Sequence, residues 1–510
     1  MASTVFSFAT SGIDGQTIEI ETEMLPGIPS VSIVGLGDKA IKEARERLEA
    51  AISHTKFYFP QQKIVFNLAP SDMRKTGTHL DLGMAIGLLL RSNQIFTGNL
   101  NKTGFIGELS LNAYIRPVSG VLPMALKAKE AGITKLLVAP ENVGEAKLVK
   151  GIDIHGCQTL KDAINILEGK DSSQPNFPPV TSSLSSQTSL LDFLDVKGQN
   201  HLIESISIAA AGGHNLLMIG PPGCGKSMIA KRIPTILPKM SEQESLEVMK
   251  IYSVANLLKD KGHYMTERPF RSPHHNASSN SLIGGGPYAM PGEISLSHNG
   301  VLFLDEIAEF SRKTLDSMRQ PLEDKKITIT RVWGSNTYPA NFMLVGAMNP
   351  CPCGYFGQEK CRCTSYEVLK YRNRLSGPVI DRMDIQKYVG VVDYFDEHQH
   401  SKSSNDLRET IEQARKIQQT RYMNIPTINS NSQLPPTLIN QFCAIDQETT
   451  RLLQKAYDHF QYSARTVHKY IKIARTIADL DGEQNIRIHH MRKSLLSRDL
   501  EKEHYSLIEV

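Results

Sequence analysis

Eight consecutive residues, GPPGCGKS at positions 220–227, have the types and spacing of a phosphate-binding loop. Glycines let backbone N–H groups turn inward around phosphates, the lysine reaches the outer phosphates, and the serine hydroxyl ligates Mg²⁺. An apolar segment that indicates a buried strand (214–219) precedes the loop, and a helical pattern (227–233) follows it. We therefore predict ATP and Mg²⁺ as cofactors. The predicted binding residues are Gly220, Pro221, Pro222, Gly223, Cys224, Gly225, Lys226 and Ser227.

Polar residues end two further apolar runs. Asp305 and Glu306 follow the run VLFL, and Asn349 follows LVGAM. We expect Asp305 to hold the Mg²⁺ shell and Glu306 to orient and deprotonate the attacking water, although adjacent acids can also simply end a strand. Asn349 would lie at the end of a central strand, near the switch point where ligands bind. It could position the water, or it could cap the turn at the following proline.

Four of the seven cysteines fall within thirteen residues: Cys351, Cys353, Cys361 and Cys363. Such clustering in a reducing compartment indicates metal binding rather than disulfides. Four thiolates suit tetrahedral Zn²⁺ in a closed structural site, and no position would be left open for catalysis. Reduced free thiols are the alternative. The cluster begins two residues after Asn349, so a metal there would brace that residue.

The elements that must position these residues fall into an α/β pattern with one clear interruption. Residues 170–189 are rich in Ser, Pro and Gln, which is typical of a flexible linker. Before it, helical and strand periodicities alternate; after it, strands alternate with helices as in a parallel sheet, and from about 406 the pattern is mainly helical. We predict four segments: an N-terminal domain (1–168), a linker (169–191), a nucleotide-binding core (192–400) and a helical lid (401–510).

The bulk composition sets limits on the function. The net charge is +4 from 57 basic and 53 acidic residues, so a nucleic-acid surface would have to be local. The N-terminus has no signal-peptide pattern, and the longest apolar stretch is too short to span a bilayer. We expect a cytoplasmic protein with no membrane partner.

The nucleotide-site residues together resemble those of AAA+ ATPases. The segment SGPVIDRMD (376–384) resembles the arginine-finger segment of the magnesium-chelatase and MCM-like branch, and SART (463–466) resembles the start of its sensor-2 helix. The resemblance implies that Asn349 is sensor 1, that Arg382 is a finger reaching the neighbouring subunit's site, and that Arg465 faces the γ-phosphate. A planar cation supplied from outside can stabilise the charge that develops on that phosphate. This resemblance implies a ring, with a hexamer expected.

Two inserts of the same branch have counterparts in this sequence. The segment between Lys226 and Asp305 contains RPFRSPHH (268–275) and GGG (284–286), and KKITITR (325–331) alternates like a strand of a hairpin. The resemblance implies that both inserts line a pore and grip DNA, which needs basic residues but little sequence specificity. A solvated, lysine-protected hairpin edge is the alternative. We interpret His274 and His275 as structural or DNA-contacting. The candidate DNA contacts are Arg268, Arg271, Lys325, Lys326 and Arg331.

The N-terminal domain resembles the proteolytic domain of Lon, through GELSLN (107–112), RPVSG (116–120) and LVAPEN (137–142). The resemblance implies a ribosomal S5 domain 2-like fold. It fails where chemistry matters, because His79 lies near the position of the Lon nucleophilic serine and Pro123 near that of its lysine. Covalent catalysis then has no nucleophile or base, so we predict no protease activity. A DNA-binding or assembly platform is the expected role.

The order of these parts resembles the ComM/YifB family of magnesium-chelatase-like AAA+ ATPases across essentially the whole chain. That resemblance implies a hexameric DNA helicase that acts on single-stranded or branched DNA and promotes branch migration during recombination or natural transformation. The alternatives are a magnesium-chelatase motor subunit acting on a tetrapyrrole enzyme, a remodelling scaffold, and an ATP-dependent protease. The residues alone support ATP hydrolysis, whereas the DNA substrate depends on the resemblance.

Overall fold

The computed structural model describes residues 2–98, 100–170, 191–258, 262–331, 334–390, 402–425 and 427–500. Apart from three residues at its ends, the linker predicted at 169–191 lies outside these ranges. The described residues form an α/β N-terminal region, a central region built on a parallel sheet, and a helical C-terminal region. This arrangement confirms the predicted fold class.

The N-terminal region is built on a seven-stranded mixed sheet. The strands of this region are β1 (Ser3–Ser11), β2 (Asp14–Leu25), β3 (Ser30–Val34), β4 (Lys63–Ala69), β5 (Thr103–Phe105), β6 (Glu108–Leu109), β7 (Ile115–Arg116), β8 (Lys135–Val138) and β9 (Asp153–Gly156), of which β6 and β7 form a separate two-stranded sheet. Its helices are α1 (Lys39–Lys42), α2 (Ala44–His54), α3 (Asp81–Arg91), α4 (Val121–Glu130), α5 (Val143–Ala146) and α6 (Leu160–Leu167). The sheet order is β3-β4-β2-β1-β5-β8-β9, and β2 runs antiparallel to both of its neighbours. In β4 the alternating Ile64, Phe66 and Leu68 are fully buried, as the period-two pattern predicts.

The central region is a five-stranded parallel sheet with helices and two small hairpins around it. Its strands are β10 (Leu216–Ile219), β11 (Phe270–Arg271), β12 (Gly284–Gly285), β13 (Met290–Pro291), β14 (Val301–Leu304), β15 (Lys326–Arg331), β16 (Gly334–Pro339), β17 (Met343–Met348) and β18 (Ile385–Tyr388). Its helices are α7 (Asn200–Gly212), α8 (Lys226–Ile236), α9 (Glu242–Val254), α10 (Ser279–Ile283), α11 (Glu293–Leu296), α12 (Arg312–Ser317), α13 (Arg319–Asp324), α14 (Ser365–Arg372) and α15 (Gly377–Ile380). The sheet order is β11-β14-β17-β10-β18, and every neighbouring pair is parallel.

The C-terminal region is helical and packs back onto the central sheet. Its helices are α16 (Ser404–Arg421), α17 (Pro436–Phe442), α18 (Gln447–Phe460), α19 (Ala464–Leu480) and α20 (Ile488–Leu495). The apolar faces of α16 and α19 enter the same core as α7 and α8, with Ile411 and Ile473 fully buried. The helical lid therefore packs beside α8, the helix that begins at the end of the predicted phosphate-binding loop.

The N-terminal region shares a core with the central region. Met249 of α9 is fully buried among the residues that line α4. At the start of α4, the Gly120 N–H donates to the Ser253 carbonyl at 3.1 Å, and the Ser253 hydroxyl donates to the Glu145 carboxylate. Ser253 and Glu145 are each 2% exposed. The two regions are thus joined by buried polar contacts as well as by apolar packing.

Candidate active site

The glycine loop lies between a buried strand and a helix. All four residues of β10 are buried, and α8 begins at Lys226, the next-to-last residue of the loop. Gly223 and Gly225 have φ angles of +80° and +87°, a left-handed conformation that residues with a Cβ rarely adopt. Gly225 caps the amino end of α8, so free backbone N–H groups face the loop interior. This cradle fits the phosphates of a nucleotide.

Lys226 is held in the mouth of the loop. Its ammonium donates to the carbonyls of Gly220 at 2.7 Å and Pro221 at 2.9 Å, and the side chain of Asn349 lies 3.4 Å away. Lys226 is only 9% exposed. The ammonium therefore has a fixed position from which it can contact a phosphate.

Asn349 reaches the loop because of strand register. In the parallel pair of β10 and β17, Ile219 pairs with Met348, so the next residue of each strand, Gly220 and Asn349, emerges at the same level. The contact with Lys226 supports the nucleotide-site interpretation of Asn349 over the turn-capping one.

Ser227 and Asp305 form the hard-ligand pair that a magnesium site requires. The Ser227 hydroxyl donates to Asp305 Oδ2 at 2.6 Å, and Asp305 Oδ1 accepts from the Glu306 backbone N–H at 3.0 Å. A hydroxyl and a carboxylate are oxygen ligands of the kind that Mg²⁺ prefers. These two residues would hold the ion, which would neutralise phosphate charge there.

Glu306 stands beside this pair in an unusual backbone conformation. Its φ of 49° and ψ of 46° are left-handed, which is uncommon for a residue with a side chain. Its carboxylate is 56% exposed and lies 3.3 Å from Nδ1 of His275. The structure therefore brings together Lys226, Ser227, Asp305, Glu306 and Asn349, and adds His275, which the sequence did not link to this site.

Arg382 and Arg465 lie elsewhere. Both guanidinium groups pair with the Glu323 carboxylate, Arg465 at 3.4 Å. The Asn215 side chain donates to the Arg382 carbonyl at 2.8 Å, which fixes this cluster at the amino end of β10. Strand residues advance by ~3.3 Å, so the five steps from Asn215 to Gly220 place the backbone of Arg382 about 16 Å from the start of the loop. The structure does not bring either arginine to the phosphate loop of its own chain.

A cavity of 1540 Å³ adjoins these arginines between the sheet and the helical region. Asp384 lies in it with Lys469, 3.6 Å away, and His214. Burial opposes ionisation of Asp384, but Lys469 and His214 outweigh it and hold the pKa of Asp384 well below its ordinary value. Lys325 belongs to this cavity rather than to the hairpin surface, and burial lowers its pKa.

The four cysteines converge on one point. Sγ of Cys351 lies 3.3 Å from that of Cys353 and 3.9 Å from that of Cys361, and the latter two sulfurs are 3.7 Å apart. All four sulfurs lie within 4.8 Å of one another. Tetrahedral Zn–S bonds of ~2.3 Å would place sulfurs about 3.8 Å apart, so the donor set fits zinc. Backbone N–H groups of Arg362 and Tyr355 lower the pKa of the Cys353 thiol to about 6.

The cysteine loop also touches the phosphate loop. Gly354 has a φ of +87°, and a Cβ built on it would lie 2.7 Å from Pro222 Cδ. Its backbone N–H donates to the Cys351 carbonyl at 3.0 Å. The cysteine loop therefore packs directly against the phosphate loop, in addition to adjoining Asn349.

The basic residues of the two inserts differ in their surroundings. The Arg268 guanidinium contacts both oxygens of Glu244, and that of Arg271 contacts both oxygens of Glu293, at 2.6 and 2.7 Å. Both of these arginines are thus engaged within the chain. The predicted hairpin is present as β15 and β16, where Ile327 and Ile329 are buried while Lys326 and Arg331 are exposed. Arg331 Nε donates to the Gly286 carbonyl at 3.2 Å, so the two inserts lie side by side.

The two N-terminal residues expected near the positions of the Lon nucleophile and lysine are both inside the fold. His79 is 7% exposed, and its Nε2 has no hydrogen-bond partner within the described ranges. Burial lowers the pKa of His79 to about 4, so the ring is neutral at physiological pH. Pro123 is buried in the first turn of α4.

A parallel sheet with a phosphate loop after one strand, paired acids after a second and a polar residue after a third defines the class of P-loop AAA+ ATPases. Similarity to known protein families places the chain more narrowly within that class. Residues 192–396 match the magnesium chelatase subunit ChlI, residues 20–142 a second profile of that subunit, and residues 401–498 its C-terminal part.

Proteins of similar length match almost the whole chain. The chain is 38% identical to competence protein ComM of Haemophilus influenzae over 501 residues, which cover 96% of each protein. It is 38% identical to YifB of Escherichia coli over 505 residues, which cover 98% of this chain and 97% of YifB. Lon protease 2 of Bacillus subtilis matches 34% of the chain at 24% identity. The chain belongs to the ComM/YifB family of magnesium-chelatase-like AAA+ ATPases.

Within the described ranges, no helix is long and apolar enough to cross a membrane.

Proposed function

We propose that this chain is an ATP-driven DNA motor that works as a ring, with six copies expected, and promotes branch migration during recombination or natural transformation. The main support for this proposal is that the predicted catalytic residues are divided between the two edges of the central parallel sheet. Lys226, Ser227 and Asp305 lie at the carboxyl edge, whereas the backbone of Arg382 lies about 16 Å away at the amino edge and Arg465 shares its partner Glu323. The competence protein of Haemophilus influenzae among its relatives supports the biological setting.

The distance between the edges favours shared sites. A guanidinium reaches ~7 Å from its Cα, so Arg382 cannot contact a phosphate bound at the loop of its own chain without a large rearrangement. A head-to-tail neighbour presents its amino edge to that loop, and repeated contacts of this kind close into a ring. Arg382 and Arg465 then act together on the same γ-phosphate. Glu323 occupies both guanidinium groups until the neighbour's nucleotide replaces it.

The adjoining hairpins supply the proposed DNA surface. Lys326 begins β15 and Arg331 ends it, and both side chains are exposed. Arg331 also donates to the Gly286 carbonyl in the glycine-rich insert. Phosphate contacts need cations on an accessible surface, which these two residues provide better than the paired Arg268 and Arg271. We include a structural zinc ion at the four cysteines in the proposal, because the sulfur spacing fits a closed tetrahedral site.

Two measurements test the DNA motor. The first is ATP hydrolysis and strand displacement with and without single-stranded and branched DNA, beside a Lys226→Ala control that should be inactive. The second is the salt dependence of DNA binding, whose log–log slope should fall by about 0.7 for each of Lys326→Ala and Arg331→Ala. Lys455→Ala is the matched control, since its side chain is exposed but lies on α18 in the helical region, away from both inserts. Turnover that ignores DNA, with no unwinding, would exclude the motor.

A mixing experiment tests the shared site. Arg382→Ala keeps an intact phosphate loop, and Lys226→Ala keeps an intact arginine. Arg382→Ala alone should lose about 10³-fold or more in kcat, since an arginine finger contributes that much, and Lys226→Ala alone should be inactive. Mixed rings should regain activity because some interfaces combine the intact half of each variant. No recovery on mixing, with ring assembly verified by light scattering, would refute the shared site.

A magnesium-chelatase motor subunit is the second candidate, favoured by the three matches to the ChlI subunit. The two functions differ in what stimulates turnover. ATPase activity that rises with a tetrapyrrole-binding partner and not with DNA would select this candidate.

A further inference from the structure

The turn between β1 and β2 in the N-terminal region belongs to none of the sites described above. Gly12 and Ile13 form this turn between Ser11 and Asp14, which pair with each other. Gly12 has a φ of +62°, the left-handed conformation that the first position of a two-residue hairpin turn accepts from glycine. Hairpin tips ordinarily face solvent and carry polar residues or glycine. An isoleucine at this tip indicates that another part of the molecule packs against the turn.

The β15–β16 hairpin of the central region is part of what packs there. Ile13 is partly buried and packs against the apolar core that contains Ile327, Ile329 and Tyr338 of that hairpin. These three side chains are buried on one face of the two paired strands, as the alternation of side chains along a strand requires. The N-terminal region therefore contributes to the apolar core on which the proposed DNA hairpin rests.

The backbone of the turn meets the hairpin close to its basic tip. A Cβ built on Gly12 would lie 3.6 Å from Cβ of Asn336, which is ordinary van der Waals contact. Asn336 pairs with Ile329, and Ile329 lies two residues before Arg331 at the end of β15. Two steps along a strand span about 7 Å, so the turn touches the hairpin within that distance of the Arg331 backbone.

The β1–β2 hairpin is held in place on its other sides. A Cβ on Gly15 would overlap the Pro123 carbonyl oxygen, so the start of β2 lies against α4 at a distance that only glycine allows. The Asp14 carboxylate lies 3.7 Å from the Lys250 ammonium on α9. The turn therefore reaches the proposed DNA hairpin from a fixed base.

We propose that this turn is a wedge by which the N-terminal region fixes the position of the β15–β16 hairpin for DNA binding, with Ile13 as the positioning residue. The inference rests on the proposed DNA contacts of Lys326 and Arg331. A two-stranded hairpin is marginally stable by itself, so its orientation depends on what packs against it. With Ile13 in place, the two cations keep the positions from which they contact DNA phosphates. Ile13 itself contacts no DNA.

Side-chain variants test the wedge through affinity for a fluorescent single-stranded oligonucleotide at one salt concentration, beside ATP hydrolysis without DNA. Ile13→Ala should raise the apparent dissociation constant by about 5- to 30-fold, because only a fraction of the hairpins keeps the binding orientation. Its hydrolysis of ATP without DNA should stay at the wild-type rate. Ile13→Val keeps most of the apolar contact and should bind within about threefold of the wild type. Ile28→Ala is the matched control, since Ile28 lies in the same region but is 85% exposed.

A covalent lock separates positioning from other effects of the substitution. The 3.6 Å between the built Cβ of Gly12 and Cβ of Asn336 suits a disulfide, for which about 3.5–4.5 Å is usual. Gly12→Cys with Asn336→Cys should therefore form a disulfide when oxidised glutathione accepts the two electrons and two protons. Adding this lock to Ile13→Ala should restore the lost DNA affinity, and reduction with dithiothreitol should remove the gain. The wild type treated with the same oxidant should keep its affinity.

Several results would overturn the wedge. Equal affinities in Ile13→Ala and Ile28→Ala, absence of the disulfide, or weak binding by the locked Ile13→Ala protein would each contradict it. If Ile13→Ala does not fold, weaker DNA binding by the locked Gly12→Cys, Asn336→Cys protein than by its reduced form would do the same. Failure of the proposed function looks different: the wild type would bind no DNA, or Lys326→Ala and Arg331→Ala would bind it normally, whether or not the disulfide forms. The wedge would then fall with that function.

Discussion

Replacing Gly354 by alanine should weaken nucleotide binding through the cysteine loop. The new Cβ would lie 2.7 Å from Cδ and 3.3 Å from Cγ of Pro222, whereas ordinary contact begins at 3.4 Å. Either Pro222 or the cysteine loop must therefore move by most of an ångström. Overpacking of this size costs ~1–3 kcal/mol, and if the phosphate loop yields, ATP affinity falls by about 5- to 150-fold.

Gly357 provides the matched control for this prediction. Its φ of +84° nearly equals the +87° of Gly354, but a Cβ at Gly357 would meet nothing within 4 Å. Both alanine variants carry the same backbone strain of ~1–2 kcal/mol, so their difference isolates the contact with Pro222. The assay is the dissociation constant of a fluorescent ATP analogue, with zinc content and thermal unfolding measured on the same preparations. Equal affinities in the two variants would refute the coupling between the cysteine loop and the phosphate loop.

The remaining predictions concern stability and metal binding. His79→Phe removes a neutral buried ring whose pKa burial lowers to about 4. In the unfolded chain the ring protonates near pH 6.5, so acid favours unfolding of the wild type but not of the variant. Between pH 6.5 and 4 the free energy of unfolding of the wild type, measured in urea, should fall by about 3 kcal/mol relative to the variant. A pH-independent difference would contradict this. Cys353→Ser should abolish stoichiometric zinc in elemental analysis, and retention of zinc would exclude a four-sulfur site. Ser253→Ala should lower the free energy of unfolding by about 1–3 kcal/mol, because the buried Glu145 carboxylate loses a hydrogen-bond donor. The loss should appear as faster proteolysis between the N-terminal and central regions. Unchanged cleavage would mean that apolar packing alone joins them.

The contiguous parts of the site could be predicted from sequence because their geometry is local. A loop of fixed spacing between a strand and a helix determines where Lys226 and Ser227 go, and a buried strand determines where Asp305 goes. Predicting the position of Asn349 required one further assumption, that the strand before it is central in the sheet. The strand order confirms this, because that strand, β17, lies between β14 and β10.

The long-range pairings could not be predicted because they depend on sheet order and on distant partners. Nothing near Arg268 in the sequence reveals that Glu244, 24 residues away, engages its guanidinium. Alternation predicted a hairpin strand at 325–331, and the strand is present as β15 from Lys326. It did not reveal that Lys325, with a φ of 55°, caps the end of helix α13 and lies near Asp384. His275 was separated from Glu306 by thirty-one positions, and only the pairing of β11 with β14 joins them. A predicted sheet order would have been a sufficient signal.

Sheet topology also explains why residues from distant parts of the sequence lie around the phosphate-binding loop. In a parallel sheet, all segments that follow strands leave at the same edge, so the segments after β11, β14 and β17 emerge on the side of the sheet where the loop after β10 lies. The same rule sends residues that precede strands, such as Asn215 and its partner Arg382, to the opposite edge. No side-chain movement can bring Arg382 to Lys226 of the same chain, because β10 itself separates them and its four residues are fully buried between their neighbours. If Arg382 takes part in hydrolysis, a second copy of the chain has to supply it.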